Sequence, residues 1–112
     1  MAFSNGKLSN VITINPGSTV GIITVASSKK VYIRSIAACD VIGAGATAQV
    51  FVVQNGGAVG NGTKMFDITL AAKDTALIEP IYPIVLDTDG DKLSVTAIGS
   101  TVNILITGDK EA

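Results

Sequence analysis

Apolar side chains recur at every second position along most of this chain, in short runs that Gly, Pro, Asn and Ser interrupt about every ten residues. Val11-Ile12-Thr13-Ile14 begins the pattern and Asn15-Pro16-Gly17 stops it, since Pro and Gly fix a turn and end a ladder there. A second run covers Thr19 to Val25, and a long one Lys30 to Cys39. Period-2 counting along the long run puts Val31, Ile33, Ser35 and Ala37 on one face, with Tyr32, Arg34, Ile36 and Ala38 on the other. Thr47 to Gln54 is the most apolar strand, and Thr63 to Leu70 sets Phe66, Ile68 and Leu70 opposite Met65, Asp67 and Thr69. Thr75 to Glu79 is short, and Pro80 and Pro83 then bracket an edge-like piece, because a central strand would lose ladder bonds at each Pro.

The end of the chain alternates most cleanly. Leu93, Val95 and Ala97 share a face, as do Val102, Ile104 and Ile106, and Gly99-Ser100 lies between the runs. That arrangement predicts a tight β-hairpin with Gly at its first central position. No window shows a 3.6-residue apolar period, so a helix of more than one turn is not expected; Ala71 to Asp74 is the one candidate turn. About eight evenly spaced strands predict an all-β fold, a single antiparallel β-sandwich or jelly roll. Residues 1–9, polar and rich in Ser, Asn and Gly, read as a flexible arm, residues 10–108 as the sandwich, and 109–112 as a short tail.

Composition narrows the chemistry sharply. The chain of 112 residues has no His, no Trp, one Cys and 15% charged residues, with a net charge of −1. Its 47% hydrophobic share raises the question of a membrane, but the longest apolar candidate, Val31 to Val53, is broken by Arg34, Asp40, Gly43, Gly45 and Gln49. The N-terminus lacks the charged start and apolar middle of a signal peptide, which predicts synthesis in a cytosol. Cys39 has no partner for an internal disulfide and no His to activate it, so it reads as a small buried hydrophobe. Catalysis through Ser-His-Asp, Cys-His or His-metal groups is excluded by the missing His. No basic stretch suits nucleic acid.

Three constellations remain. Asp87-Thr88-Asp89-Gly90-Asp91 resembles the start of a calcium loop, but an EF-hand needs Gly at position six and Glu at twelve, where Lys92 and Ile98 stand. An Asp-Gly turn into a strand is the preferred reading, a weak surface calcium site the alternative. Neither Asn55 to Gly62, rich in glycine, nor the segment 1–9 has an evident part in a core, which makes Phe3, Asn5, Lys7, Asn55, Val59 and Asn61 candidate partner contacts. Gly56-Gly57-Ala58-Val59-Gly60 is no phosphate loop, lacking a following Lys-Ser/Thr. Arg34 in an apolar strand reads as an exposed residue or as one half of an ion pair across a subunit contact. Leu105 and Phe51 oppose the inferred buried faces and are expected to meet the second sheet or a partner.

Residues 30–107 resemble a known family. The resemblance runs through Val52-Val53-Gln54-Asn55-Gly56-Gly57, Gly62-Thr63-Lys64-Met65-Phe66-Asp67, Leu70-Ala71-Ala72-Lys73-Asp74-Thr75, Pro83-Ile84-Val85-Leu86 and Gly90-Asp91-Lys92-Leu93-Ser94-Val95-Thr96-Ala97. These segments are similar to small β-sandwich virion proteins of tailed bacteriophages, both head-decoration and tail-associated. The resemblance implies a non-enzymatic virion protein with no catalytic residues and no cofactor. A capsid decoration, or cement, protein is the first expectation: it would bind the major capsid protein and copies of itself, a trimer being one form, on the capsid surface. It implies no nucleic-acid, membrane or small-molecule partner. A tail or fibre component binding a receptor or glycan is the alternative, against which the shortage of aromatics counts.

Overall fold

The computed structural model describes residues 3–8, 11–25, 29–60, 62–72, 74–80, 82–88 and 90–111, with backbone only at 3–7 and 111. Its strands are β1 (Phe3–Lys7), β2 (Ile12–Ile14), β3 (Thr19–Thr24), β4 (Val31–Asp40), β5 (Ala46–Val53), β6 (Lys64–Leu70), β7 (Thr75–Ile78), β8 (Ile84–Leu86), β9 (Lys92–Ile98) and β10 (Val102–Glu111). One sheet runs β1-β10-β4-β7, with β2 also on β10 and β8 also on β4. The other runs β3-β9-β5-β6, and every strand pairing is antiparallel. Since β4 occupies one side of β10, β1 and β2 share its other side end to end; β7 and β8 share the far side of β4 likewise. The fold is therefore an all-β sandwich of two four-lane sheets, and its strand order is that of a jelly roll.

The core lies between the sheets and follows from the alternation. Leu93, Val95 and Ala97 from β9 and Val102, Ile104 and Ile106 from β10 are fully buried, and Ile14, Ile33, Ile36, Leu70 and Leu86 join them. Here the hairpin expectation fails. β9 pairs β3 and β5 in one sheet while β10 pairs β1, β2 and β4 in the other. Gly99-Ser100 carries the chain from sheet to sheet, and the two apolar faces meet across the core instead of lying side by side. A strand with one apolar face is satisfied equally by either arrangement, so local pattern does not distinguish them. The glycine itself is required: Gly99 has φ 88°, and a Cβ there would sit 3.3 Å from the Gly45 carbonyl.

β4 also departs from simple period-2 counting. Ser35 pairs Thr107 but Ile33 pairs Gly108, so Arg34 is one residue too many against β10. This β-bulge switches the buried set from Val31 and Ile33 to Ile36, Ala38 and Asp40. Gly108 makes room for it, since a Cβ there would collide with the Tyr32 carbonyl oxygen. At the two ends of the chain, the expected arm contains β1, whose backbone pairs residues 107–111, and the expected tail is the last part of β10. A chain that reaches an open sheet edge gains ladder bonds there, and polar side chains do not prevent it. Where a single helical turn was expected, the Asp74 N–H bonds the Ala71 carbonyl at 3.0 Å, and Lys73 lies outside the described residues.

Candidate functional site

The topology sorts the loops into two ends. Residues 15–18, 41–45, Asp74 and 99–101 gather at one: Asp40 N–H bonds Asp74 O, Val41 N–H bonds Thr101 O, and Gly17 N–H bonds Ala97 O, at 2.8–3.1 Å. Asp40 organises this end. Its buried carboxylate accepts the Gly43 N–H at 3.1 Å and the Gly45 N–H at 2.8 Å, and both glycines have positive φ. The turn it ties down projects Val41 and Ile42 into solvent, with Ile98 also exposed on the last residue of β9.

The outer face of the β1/β2-β10-β4-β7/β8 sheet is the second apolar region. Because the bulge resets the pleat, Ala37 and Cys39 point outward beside Leu105, and Leu77 stands opposite Ala37 on β7. Val11, Ala37, Cys39, Thr75, Asn103 and Leu105 line a shallow depression of about 220 Å³. Val11 is 60% and Leu77 59% exposed. Polar pairs bound it: Thr13 Oγ1 donates to Asn103 Oδ1 at 2.7 Å, and the Ser35 and Thr107 hydroxyls bond each other. The outer face of an antiparallel two-layer sheet is ordinarily polar, so an apolar patch here is out of the ordinary.

The residues expected to meet a partner do not form one surface. Phe3, Asn5 and Lys7 lie on β1, with Asn5 opposite Asp109 and Lys7 opposite Thr107. Arg34 Nε donates to Asp109 Oδ2 at 2.6 Å, so the ion pair weighed for a subunit contact is made within the chain, across the bulge. Leu105 sits half-buried in the outer depression. Asn55 and Val59 belong to the opposite end of the sandwich, and Asn61 lies outside the described residues.

The glycine-rich loop has a structural role after all. Phe51 and Val53 face outward by register with Ser94 and Lys92, yet are only 5% and 0% exposed and stand apart from the main core. The loop folds back over Val53: Gly57 N–H bonds Gln54 O at 2.8 Å, and a Cβ on Gly57 would lie 3.3 Å from Val53 Cγ1. Asn55 in turn packs on Gly90 of the β8–β9 loop. Phe51 is thus buried by its own chain. The signal that could have revealed this was the unbroken apolar run Val50-Phe51-Val52-Val53, which marks a strand covered on both faces.

Among the described residues no group of three His, Cys, Asp or Glu side chains converges, and no helix is long and apolar enough to cross a membrane.

No protein-family model matches the chain, and the curated proteins offer no match to it. Among solved structures, it is similar to that of the infectious bursal disease virus Gx strain, at 11% identity and a TM-score of 0.48, over 97% of this chain and 31% of that one. The Gt strain structure gives 13% identity and a TM-score of 0.39, over 97% and 32%. The crystal structure of the VP2 subviral particle of infectious bursal disease virus gives 9% and 0.39, over 97% and 31%. The chain spans about a third of the length of these proteins.

Proposed function

We propose that this protein is a non-enzymatic bacteriophage virion component that decorates the capsid and cements its subunits. The observation that carries this reading is the apolar outer face around Val11, Ala37, Leu77 and Leu105, which the fold builds and then leaves uncovered. Its uncharged, shallow shape suits a flat protein surface better than a small molecule. The exposed Val41, Ile42 and Ile98 at one loop end offer a second contact. The partners are the major capsid protein and neighbouring copies of this chain, with trimers at local threefold positions.

The mechanism is linkage. A protein that binds the assembled shell and not the free subunits stabilises the shell by mass action. Many copies then hold by avidity, so each contact can be modest. The site would lie on the capsid surface, reached after synthesis in the host cytoplasm.

Copy number in the parent virion tests the reading. Hundreds of copies over the head, seen by electron cryomicroscopy, are expected; a handful at the tail would replace it with a tail or fibre role. Light scattering on the free protein separates a preformed trimer from assembly on the particle.

A further inference from the structure

One row of apolar side chains crosses all four lanes of the β1/β2-β10-β4-β7/β8 sheet on its outer face. Leu105 on β10 pairs Ala37 on β4, and Ala37 pairs Leu77 on β7. Val11, just ahead of β2 in the outermost lane, lines the same depression as Leu105. In lane order the row reads large, large, small, large. The next row holds Thr107 and Ser35, whose hydroxyls bond each other, and its ends carry opposite charges. Lys7 takes the register position beyond Thr107, and the exposed Glu79 follows β7 directly, one residue past the Ile36–Ile78 pair.

Such an order fits its own reverse. A two-fold axis between two facing copies, running along their strands, lays each outer lane over the partner's opposite outer lane. Leu105 then enters the recess over the partner's Ala37, and Val11 meets the partner's Leu77. Lys7 comes over the partner's Glu79, so the charges at the ends attract. An axis set across the strands would put leucine on leucine and leave a gap where alanine met alanine. The size of the face is also right for a pair. Its four lanes, about 4.8 Å apart, span about 19 Å, and the ten residues of β10 span about 33 Å. With side-chain relief, that area approaches the ~800 Å² per partner of a standard-size interface. Arg34 and Asp109, the charges at its centre, neutralise each other within one chain.

We propose that two copies of this chain pair face to face through this sheet, with the two-fold axis along the strands and Leu105 seated over the partner's Ala37. Sheet twist sets the facing strands about 30° apart, the usual angle of aligned sheets. Because the axis follows the strands, the Val41–Ile42 tips of both copies emerge at the same end of the pair. The inference deepens the capsid reading and rests on it only for what those tips then do. Two tips side by side reach two places on one shell, a clasp that a single copy cannot form. On the particle such pairs would join neighbouring trimers.

Sedimentation equilibrium of the full free chain tests the pairing without any particle. A reversible monomer–dimer equilibrium is expected, with Kd in the micromolar range. Leu77→Asp alters a side chain that is 59% exposed, and should weaken pairing by about tenfold or more while the circular dichroism spectrum is kept. Lys7→Glu and Glu79→Lys should each weaken it several-fold at low salt. The double variant should recover it, which a shared folding defect could not do. A chain that stays monomeric at about 1 mM, or that forms only trimers, overturns the proposal. So does pairing that Leu77→Asp leaves unchanged, or a double variant that fails to recover. Any of these results leaves the copy number on heads as the separate test of the capsid role.

Discussion

At Gly108 a missing side chain decides how one strand lies. The Tyr32 carbonyl occupies the space a Cβ would need, so the bulge that ejects Arg34 from the pairing depends on glycine on the facing strand. Gly108→Ala must push the two central strands of a sheet apart, and a loss of about 1–3 kcal/mol is expected from such overpacking, read from the urea midpoint. The neighbouring Arg34–Asp109 pair behaves differently. The arginine side chain is 57% exposed, so solvent screens the pair despite its 2.6 Å contact. Arg34→Ala should cost less than about 1 kcal/mol in the same assay. A larger loss would mean that the guanidinium, and not the glycine, holds the bulge.

Among the elements, β9 and β10 carry the question of topology. If they formed a hairpin around Gly99-Ser100, Thr96 and Asn103 would face each other across it. In the jelly roll they lie on the outer faces of different sheets, Thr96 bonded to Thr19 and Asn103 to Thr13. Packed sheets are about 10 Å apart, so these outward positions are beyond the reach of a disulfide. Ala37 and Leu105, by contrast, are paired directly across β4 and β10. In a Cys39→Ser background, the double substitution Ala37→Cys/Leu105→Cys should oxidise to an internal cross-link, and Thr96→Cys/Asn103→Cys should not, as judged by thiol titration. The reverse pattern would restore the hairpin.

For the molecule as a whole, the main issue is which exposed parts belong to folding and which to a partner. β1 covers the outer edge of β10 over residues 107–111, so deletion of residues 2–8 strips a full set of ladder bonds from a central strand. The deletion should lower Tm by several degrees, a shift that corresponds to about 1 kcal/mol in a domain of this size. An unchanged Tm would show that β1 contributes nothing to stability. The apolar outer face has the opposite expectation. Val11→Asp and Leu77→Asp alter exposed side chains and should leave Tm within the range of ordinary surface changes, about ±0.5 kcal/mol. On purified heads each should reduce occupancy by about tenfold, through the desolvation a buried carboxylate would suffer in the contact. Full occupancy by both variants would remove this face from the interface.

Strand existence, the buried partners within β9 and β10, and the poverty of catalytic side chains were legible in the sequence, because side-chain alternation and residue type are local properties. Pro80 and Pro83 were expected to bracket an edge-like piece; both instead lie between β7 and β8, the strands on the far side of β4, and neither Pro belongs to a strand. Three matters were decided only in three dimensions. The bulge at Arg34 depends on a glycine more than seventy residues away in the chain, between Ile33 and Gly108 as paired neighbours. The burial of Val53 depends on a loop folding back over a sheet's outer face. Whether two alternating strands pair edge to edge or stack face to face depends on every other strand competing for the same edges and the same core. Alternation fixes which side of a strand is apolar; only the assembled sheets determine what that side meets.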